Sequence, residues 1–343
     1  MAKRPTLKDL AKAAGVGVAT VDRVLNGRPN VRDATVQRVM EAAQSIGYPM
    51  SSLTANQSDA ARPRVRFGFV LHKGTQEFYQ NFASELEHAV RARTDIRGQC
   101  RIRFAASQAP ADFGKELLEA AETSDVIASS AINHPSLTEI VTSITGAGTP
   151  VFALLNDFAQ GIRQNYVGLN NMKVGRIAAW TILSQVRDSG KLAIFVGGNR
   201  WHGHILRETG FQSYLREFAS GFTMLDTLVN LETRQVTYEA TLDLLNRHPD
   251  LRGIYVAGGG MEGAIAALRE MRPAGKVALV VNELTSDSRK ALLDRYVNMV
   301  IATPLAELCR NLIDLMVLAA KNGPAGNTGQ HFLTPQLFCP ESF

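Results

Sequence analysis

The 343-residue chain has little that would anchor it in a membrane or cross-link it outside the cell. No apolar run reaches the roughly 18 residues that span a bilayer, which excludes a transmembrane helix. The three cysteines, Cys100, Cys309 and Cys339, lie far apart and form no C-x-x-C pair, which argues against a disulfide framework or a zinc site. The N-terminal Met-Ala-Lys-Arg lacks the following apolar stretch of a signal peptide, so we expect a cytoplasmic protein without a membrane partner.

Charge and enzyme signatures are also sparse. Charged residues make up 20% of the chain and hydrophobic residues 45%, so a large core is available and disorder is not expected. No P-loop, G-x-G-x-x-G fingerprint or G-x-S-x-G elbow is present, and Gly197-Gly198 favours a tight turn. His202 and His204 have no third metal ligand nearby in sequence. We therefore expect no enzyme, no cofactor and no metal.

The first fifty residues show the spacing of a helix-turn-helix domain. Apolar residues at positions 7, 10, 11 and 14 share one helical face, and Thr6 with Asp9 forms a capping box. Gly15 suits the left-handed residue that ends such a helix. A second helix from about Val18 to Leu25 and a third ending at Gly47 complete the pattern. A generic three-helix bundle remains the alternative on pattern alone.

The distribution of charge favours DNA binding. Residues 1–66 hold eleven Lys or Arg and five Asp or Glu, a net charge of +6, whereas the whole chain carries +5. The basic charge therefore lies on the N-terminal domain, where contacts to phosphate groups require it.

Three strings make the similarity specific: 6–15, 19–27 and the Ile-Gly-Tyr-Pro of 46–49. They resemble the lactose-repressor (LacI/GalR) family of bacterial transcription regulators, and the resemblance extends over essentially the whole chain as a divergent branch. It implies that Val18, Ala19 and Arg23 read bases, Arg23 by a bidentate contact to guanine. The implied DNA-contacting set is Thr6, Val18, Ala19, Thr20, Asp22, Arg23, Asn26, Arg28 and Leu53.

The N-terminal domain departs from the family at three places. Gly17 stands where a Ser or Thr usually caps the second helix. Asp22 replaces a usual Ser and can pair with an arginine or accept from cytosine N4. The hinge lacks the usual leucine that enters the minor groove, with Leu53 or Met50 as the apolar candidates.

Beyond a polar linker, short apolar runs alternate with helical patterns, which is typical of parallel sheets covered by helices on both faces. We expect an all-α DNA-binding domain (1–50), a hinge (51–64) and an α/β effector and dimerisation domain (65–343). The resemblance implies a periplasmic-binding-protein-like effector domain of two doubly wound parallel-sheet subdomains. These are an N-subdomain of about 65–164 and 299–323 and a C-subdomain of about 165–298 and 326–343, with crossings near Asn165, Asn298 and Gly323–Gly326.

Ligands of such folds bind beyond the carboxyl ends of the strands. Arg207, followed by x-x-Gly-Phe, matches the family's ligand-binding arginine, whose fork can bridge hydroxyls or bind a carboxylate. Phe78 is either a core or a contact residue, and Trp201 either stacks on a sugar or forms a surface lid. The glycines at 258–260 either receive an anion or simply make a tight turn. The expected effector-binding set is His72, Gln76, Phe78, Tyr79, Ser130, Asn133, Asn170, Trp201, Arg207, Gly258, Asn282 and Glu283.

The leading hypothesis is a homodimeric, sequence-specific DNA-binding regulator, a repressor in its action. A sugar, polyol or sugar acid in the cleft would control its affinity for double-stranded operator DNA. The alternative is a solute-binding or chemoreceptor protein of the same body fold, which would require export. The chain shows no C-terminal heptad helix, so we expect a dimer rather than a tetramer.

Overall fold

The computed structural model describes residues 5–25, 31–48, 62–325 and 328–343. Two compact units make up the chain, one of Met1–Arg64 with Arg93–Arg97 and the other of Val65–Ala92 with Gly98–Phe343. Within the described ranges, no helix is long and apolar enough to cross a bilayer.

The first unit contains the three expected helices, α1 (Leu7–Ala14), α2 (Val18–Leu25) and α3 (Asp33–Ser45). The capping box of α1 is present, because the Thr6 hydroxyl accepts from Asp9 N while the Asp9 carboxylate accepts from Thr6 N at 2.8 Å. Gly15 and Gly47 both adopt positive φ after α1 and α3. The core of the three helices is small and apolar; its buried members are Leu10, Ala11, Ala14, Val21, Val24, Leu25, Val39, Ala42 and Ala43.

The second unit consists of two α/β lobes. The first lobe contains β1 (Arg64–His72), α4 (Glu77–Ala92), β2 (Arg97–Ala105), α5 (Pro110–Thr123), β3 (Val126–Ser129), α6 (Pro135–Gly146), β4 (Val151–Leu154), β5 (Asn165–Leu169), α12 (Leu305–Asn322) and β12 (Gly329–Leu333). The second contains α7 (Asn171–Gln185), β6 (Lys191–Val196), α8 (His202–Phe218), β7 (Thr223–Met224), β8 (Leu228–Val229), α9 (Arg234–Arg247), β9 (Leu251–Val256), α10 (Met261–Met271), β10 (Ala278–Asn282), α11 (Ser286–Leu293), β11 (Met299–Ala302) and β13 (Gln336–Phe338).

Each lobe is built on one sheet. The strand order is β12-β5-β4-β3-β1-β2 in the first and β13-β11-β10-β9-β6-β7 in the second, where β8 also pairs with β6. The central strands are largely buried and parallel, for example β3 against β1 and β9 against β10, as the apolar runs predicted. The edge strand β13 is antiparallel to β11, which differs from the expected all-parallel sheet.

The chain passes between the lobes later than expected at all three crossings. β5 (Asn165–Leu169) pairs with β4 in the first sheet, so the first crossing follows Leu169 rather than Asn165. β11 lies in the second sheet, which places the second crossing after Ala302. The third falls between β12 and β13, at residues 334–335 rather than 323–326. At each crossing the preceding strand, β5, β11 or β12, still belongs to the sheet that the chain is leaving.

Candidate functional site

A cavity of about 270 Å³ lies between the two lobes, at the carboxyl ends of their parallel strands. Loops after β1, β3 and β4 supply one wall, and loops after β6, β8, β9 and β10 supply the other. This is where open α/β sheets bind ligands. The lining residues are Gln76, Glu77, Phe78, Tyr79, Ser130, Leu155, Asn156, Trp201, Gly203, His204, Arg207, Glu232, Gly258, Gly259, Gly260, Met261, Glu262, Asn282, Glu283, Thr285 and Asp287.

Arg207 is held rigidly in the cavity wall. It is 8% exposed, its Nε donates to Asn171 Oδ1 at 2.7 Å, and its Nη1 donates to the Ala257 carbonyl at 2.7 Å. Helices α7 and α8 approach closely here, since a Cβ on Gly175 would collide with the Arg207 backbone carbonyl. Nη2 makes no hydrogen bond to any residue that the structure describes, so it is the donor left for a ligand.

Glu232 brings the two lobes together at one side of the cavity. Its carboxylate Oε2 lies 3.1 Å from Lys73 Nζ, and Lys73 Nζ also donates to the Glu232 backbone carbonyl at 2.9 Å. His72 Nε2 is 3.7 Å from Oε2, and His204 Nε2 is 3.7 Å from Oε1. Burial alone would raise the pKa of Glu232, but His72, His204 and Lys73 hold it well below its usual range. The carboxylate is therefore ionised.

A second contact between the lobes involves Glu77 and Ser286. The Glu77 carboxylate accepts from Ser286 N at 3.0 Å and from the Ser286 hydroxyl at 2.6 Å. Ser286 is the first residue of α11, so the carboxylate lies at the positive end of that helix. Two contacts between the lobes therefore adjoin the cavity.

Backbone strain concentrates at this site. Leu155, Glu232 and Glu283 line the cavity with φ values of 58°, 54° and 68°, and Lys73, which contacts Glu232, has a φ of 52°. Residues other than glycine rarely adopt this backbone conformation, because it costs about 1–3 kcal/mol for each residue. Such strain persists where the surrounding structure requires it, and it clusters at functional sites.

Most of the effector residues expected from the sequence meet in this cavity. Phe78 is half-buried and packs against Tyr79 and Phe82 while lining the cavity. Trp201 is 4% exposed and its Nε1 donates to Gln108 Oε1, so it is not a surface lid. The expected residues that line the cavity are Gln76, Phe78, Tyr79, Ser130, Trp201, Arg207, Gly258, Asn282 and Glu283.

Three expected residues lie outside the lining, which corrects the sequence interpretation. Asn170 is the N-cap of α7, and its side chain accepts from Lys173 N. Asn133 lies on a separate surface depression beside α6. His72 is buried behind the wall and reaches the cavity through Glu232. In the Asn-Asn pair the second residue, Asn171, has the site role, because it positions Arg207.

Two lining residues on β10 and its loop are already engaged by the protein. Asn282 accepts from the Tyr255 hydroxyl and donates to the Ile301 carbonyl, so its amide is structural. Glu283 accepts from Thr303 N at 2.9 Å and from the Thr303 hydroxyl at 2.8 Å. Burial raises the pKa of Glu283, and the hydrogen bonds from Thr303 only partly offset this rise.

In the glycine turn before α10, a carboxylate of the protein itself accepts a backbone hydrogen bond. Gly259 N donates to Glu232 Oε1 at 3.2 Å, where an external anion was one alternative. A Cβ on Gly258 would collide with the His204 ring and approach Glu232 Oε1 to 3.0 Å, which explains a glycine there.

Sequence reasoning missed Lys73, Asn171 and Glu232, and it weighed His204 only as a metal ligand. A signal for Glu232 existed, because a carboxylate three residues beyond a short strand lies at the ligand-binding edge of such a sheet. Its partners come from three other segments, and nothing in the sequence places them beside it.

The second helix of the N-terminal unit exposes the residues expected to meet DNA. Val18 is 41% exposed, Ala19 and Arg23 are exposed, and Thr20 and Asp22 are partly exposed, while Val21 is buried. The backbone of Gly17 accepts from Thr20 N and Val21 N, which puts Gly17 at the N-terminus of this helix. Thr6 is exposed beside α1. Asn26, Arg28 and Leu53 lie outside the described residues.

Family comparisons agree with both parts of the chain. Residues 6–50 match the bacterial regulatory proteins of the lacI family, and residues 67–324 match a periplasmic binding protein domain. The chain belongs to the LacI family of bacterial regulatory proteins. It is a DNA-binding transcriptional regulator with a periplasmic-binding-protein-like domain, as the sequence analysis predicted.

Three related regulators are similar to this chain over different lengths. The HTH-type regulator GalS of Salmonella typhimurium is 22% identical over 97% of this chain and 94% of its own. CelR of Thermobifida fusca is 26% identical over 80% of this chain and 79% of its own. An uncharacterised HTH-type regulator of Streptomyces limosus is 27% identical, and the match spans only 58% of that protein.

Solved structures of solute-binding proteins share the fold of the two lobes. One from Agrobacterium vitis, bound with alpha-D-tagatopyranose, has a TM-score of 0.73 at 19% identity and covers 80% of this chain and 95% of its own. One from Actinobacillus succinogenes, with bound D-allose, has a TM-score of 0.72 at 16% identity and covers 82% and 98%. At this identity the likeness concerns the fold alone.

Proposed function

We propose that this regulator is a cytoplasmic homodimer that represses transcription and that a polyhydroxylated metabolite in the cavity controls its affinity for operator DNA. The observation that carries the proposal is the cavity itself. Its walls come from both lobes, and contacts between the lobes, Lys73 with Glu232 and Glu77 with Ser286, lie beside it. The sugars bound by the two solute-binding relatives of this fold support a ligand of that class.

Ligand binding can be coupled to DNA binding because both lobes line the cavity. A ligand that contacts both lobes stabilises the closed arrangement, by RT ln(1 + [L]/Kd) relative to an arrangement that cannot bind it. DNA affinity changes if the closed and open arrangements differ in how a dimer presents its two recognition helices. A dimer is expected because one such helix contacts few bases, and two half-sites give the specificity.

The test is DNA binding by the full-length protein. Fluorescence anisotropy with a duplex from the region upstream of its own gene should show specific binding that weakens steeply as salt rises, because basic residues displace counterions. Adding the effector should shift that affinity. Absence of salt-sensitive, sequence-specific binding by the dimer would overturn the regulator assignment of this chain. The solute-binding alternative is less well supported, because such a role has no use for residues 6–50.

A further inference from the structure

The carboxylate of Glu232, in the cavity wall, is surrounded by hydrogen-bond donors. It is buried among donors: the Lys73 ammonium, the Gly259 N–H and the His204 ring. The tautomer of His204 follows from its other contact, because Gly197 N donates to Nδ1 at 3.0 Å. The proton of the neutral ring is therefore on Nε2, on the side of Glu232.

His204 adds no full positive charge near pH 7. Burial lowers the pKa of His204 to about 4, and Glu232 offsets this only in part. Lys73 is thus the cation that balances Glu232 at this side of the cavity. The carboxylate remains an ionised acceptor with lone pairs left for a ligand donor.

Several buried polar atoms near this carboxylate have no hydrogen-bond partner in the described part of the chain. They are both ring nitrogens of His72 and the Ser130 hydroxyl, whereas Glu232 Oε2 is ion-paired with Lys73 Nζ. Ser130 follows β3, which pairs with β1, the strand that ends at His72. An unpaired buried polar group costs about 1–3 kcal/mol, so a group that bonds them gains correspondingly. A ligand hydroxyl suits this surrounding, because the Ser130 hydroxyl both donates and accepts and the ionised Glu232 carboxylate can accept a further hydrogen bond.

The rest of the lining disfavours an anion. Among the described residues, the lining contains Glu77, Glu232, Glu262, Glu283 and Asp287 against the single guanidinium of Arg207. Burial raises the pKa of Glu262 and of Glu283, and the nearby cations, Lys73 and Arg234 for Glu262 and Arg207 for Glu283, offset this rise only in part. A carboxylate or phosphate on the ligand would meet this acidic wall.

Building on the proposed function, we propose that Glu232 and Ser130, with His72 behind Glu232, form a hydroxyl-binding subsite and that the effector is a polyhydroxy compound without an acidic group. Glu232 accepts from a ligand hydroxyl or ammonium, and Ser130 bonds a neighbouring hydroxyl. Arg207 Nη2 donates to a ligand oxygen on the opposite lobe. A sugar acid or sugar phosphate is thereby rejected by charge, which removes one of the three ligand classes considered from the sequence.

The test compares matched ligands on the full-length protein. Calorimetry would use glucose, galactose and mannose, each as the neutral sugar, the 2-amino sugar and the uronate, together with ribose and ribonate, and xylitol and xylonate. In any series that binds, the acid should be at least about tenfold weaker than the neutral member, a difference of about 1.4 kcal/mol. An acid that binds as tightly as its neutral partner overturns the subsite and leaves the metabolite-responsive regulator standing. If no compound binds, the proposed effector class fails, and the subsite fails with it.

Two variants test the named residues. Glu232→Gln keeps the side-chain shape but removes the charge, so discrimination against the acid should fall about tenfold. Ser130→Ala removes a buried hydroxyl without a partner, so stability without ligand should not fall while neutral-ligand affinity falls about threefold to tenfold. Glu239→Gln, on the exposed face of α9, is the matched control and should change neither. Unchanged affinity in Ser130→Ala, or unchanged discrimination in a folded Glu232→Gln protein, would refute the subsite.

Discussion

Replacing Arg207 by methionine should separate effector sensing from DNA binding. Methionine keeps much of the apolar volume but removes the donors to Asn171 and to the Ala257 carbonyl. Each buried acceptor left unpaired costs about 1–3 kcal/mol, so the free energy of unfolding of the two-lobed unit should fall by about 2–6 kcal/mol. The ligand loses the hydrogen bond from Nη2. A bond from a charged donor contributes about 1.5–3 kcal/mol, so affinity should fall about tenfold to 150-fold.

The assay measures three quantities on the same preparation: thermal unfolding, operator affinity by anisotropy, and the effector concentration that shifts this affinity. The recognition helix belongs to the other compact unit, so operator affinity without effector should not change. Arg176→Met is the matched control, because Arg176 pairs with Ser213 and Glu217 away from the cavity, and a partly exposed pair contributes little. A folded Arg207→Met protein with the wild-type effector response would refute the role given to Arg207.

Three further outcomes are expected. Arg23→Ala should lower specific operator affinity by about 1–3 kcal/mol if Arg23 reads a guanine, and an unchanged footprint would remove that role. Gly175→Ala should destabilise the two-lobed unit by about 1–3 kcal/mol in denaturant unfolding, because the added Cβ meets the Arg207 backbone. Gly146→Ala is the control, because the space around Gly146 is open. Equal stability of the two variants would contradict the packing argument. The pKa of His204 is lowered from 6.5 to about 4, so the unfolded chain binds this proton first as pH falls. The contribution of His204 to the free energy of unfolding is largest above pH 6.5, and it decreases by about 3 kcal/mol on acidification to pH 4. His204→Gln should flatten that decrease and exposed His88→Gln should not; equal pH profiles would refute the argument.

The N-terminal helices were predictable because their determinants are local. Apolar residues three and four positions apart, the Thr6–Asp9 capping box and the glycines at 15 and 47 act within one or two turns. The central strands were equally clear as short apolar runs. β12 and β13 were missed because only Leu333 of their residues is buried, so neither shows an apolar run.

The location of the cavity was predictable from the sequence, but the side chains that form its walls were predictable only in part. The edge of the sheets follows from strand direction, and Arg207 was found through its x-x-Gly-Phe context. The Glu232 cluster was not, because Lys73, His204 and Gly259 reach it from separate strand ends. Such convergence depends on which strands lie side by side, and the crossings between lobes that decide this were displaced by several residues.

The late crossings have a consequence for how the protein is made. β12 completes the first sheet by pairing with β5, with Gly329 beside Asn165, and β13 pairs with β11 in the second sheet. Synthesis proceeds from the N-terminus, and contacts distant in sequence form slowly. The DNA-contacting helices depend on local contacts, whereas neither lobe has its full sheet until residues 329–338 leave the ribosome. A nascent chain therefore has its N-terminal helices before it has a complete ligand-binding unit.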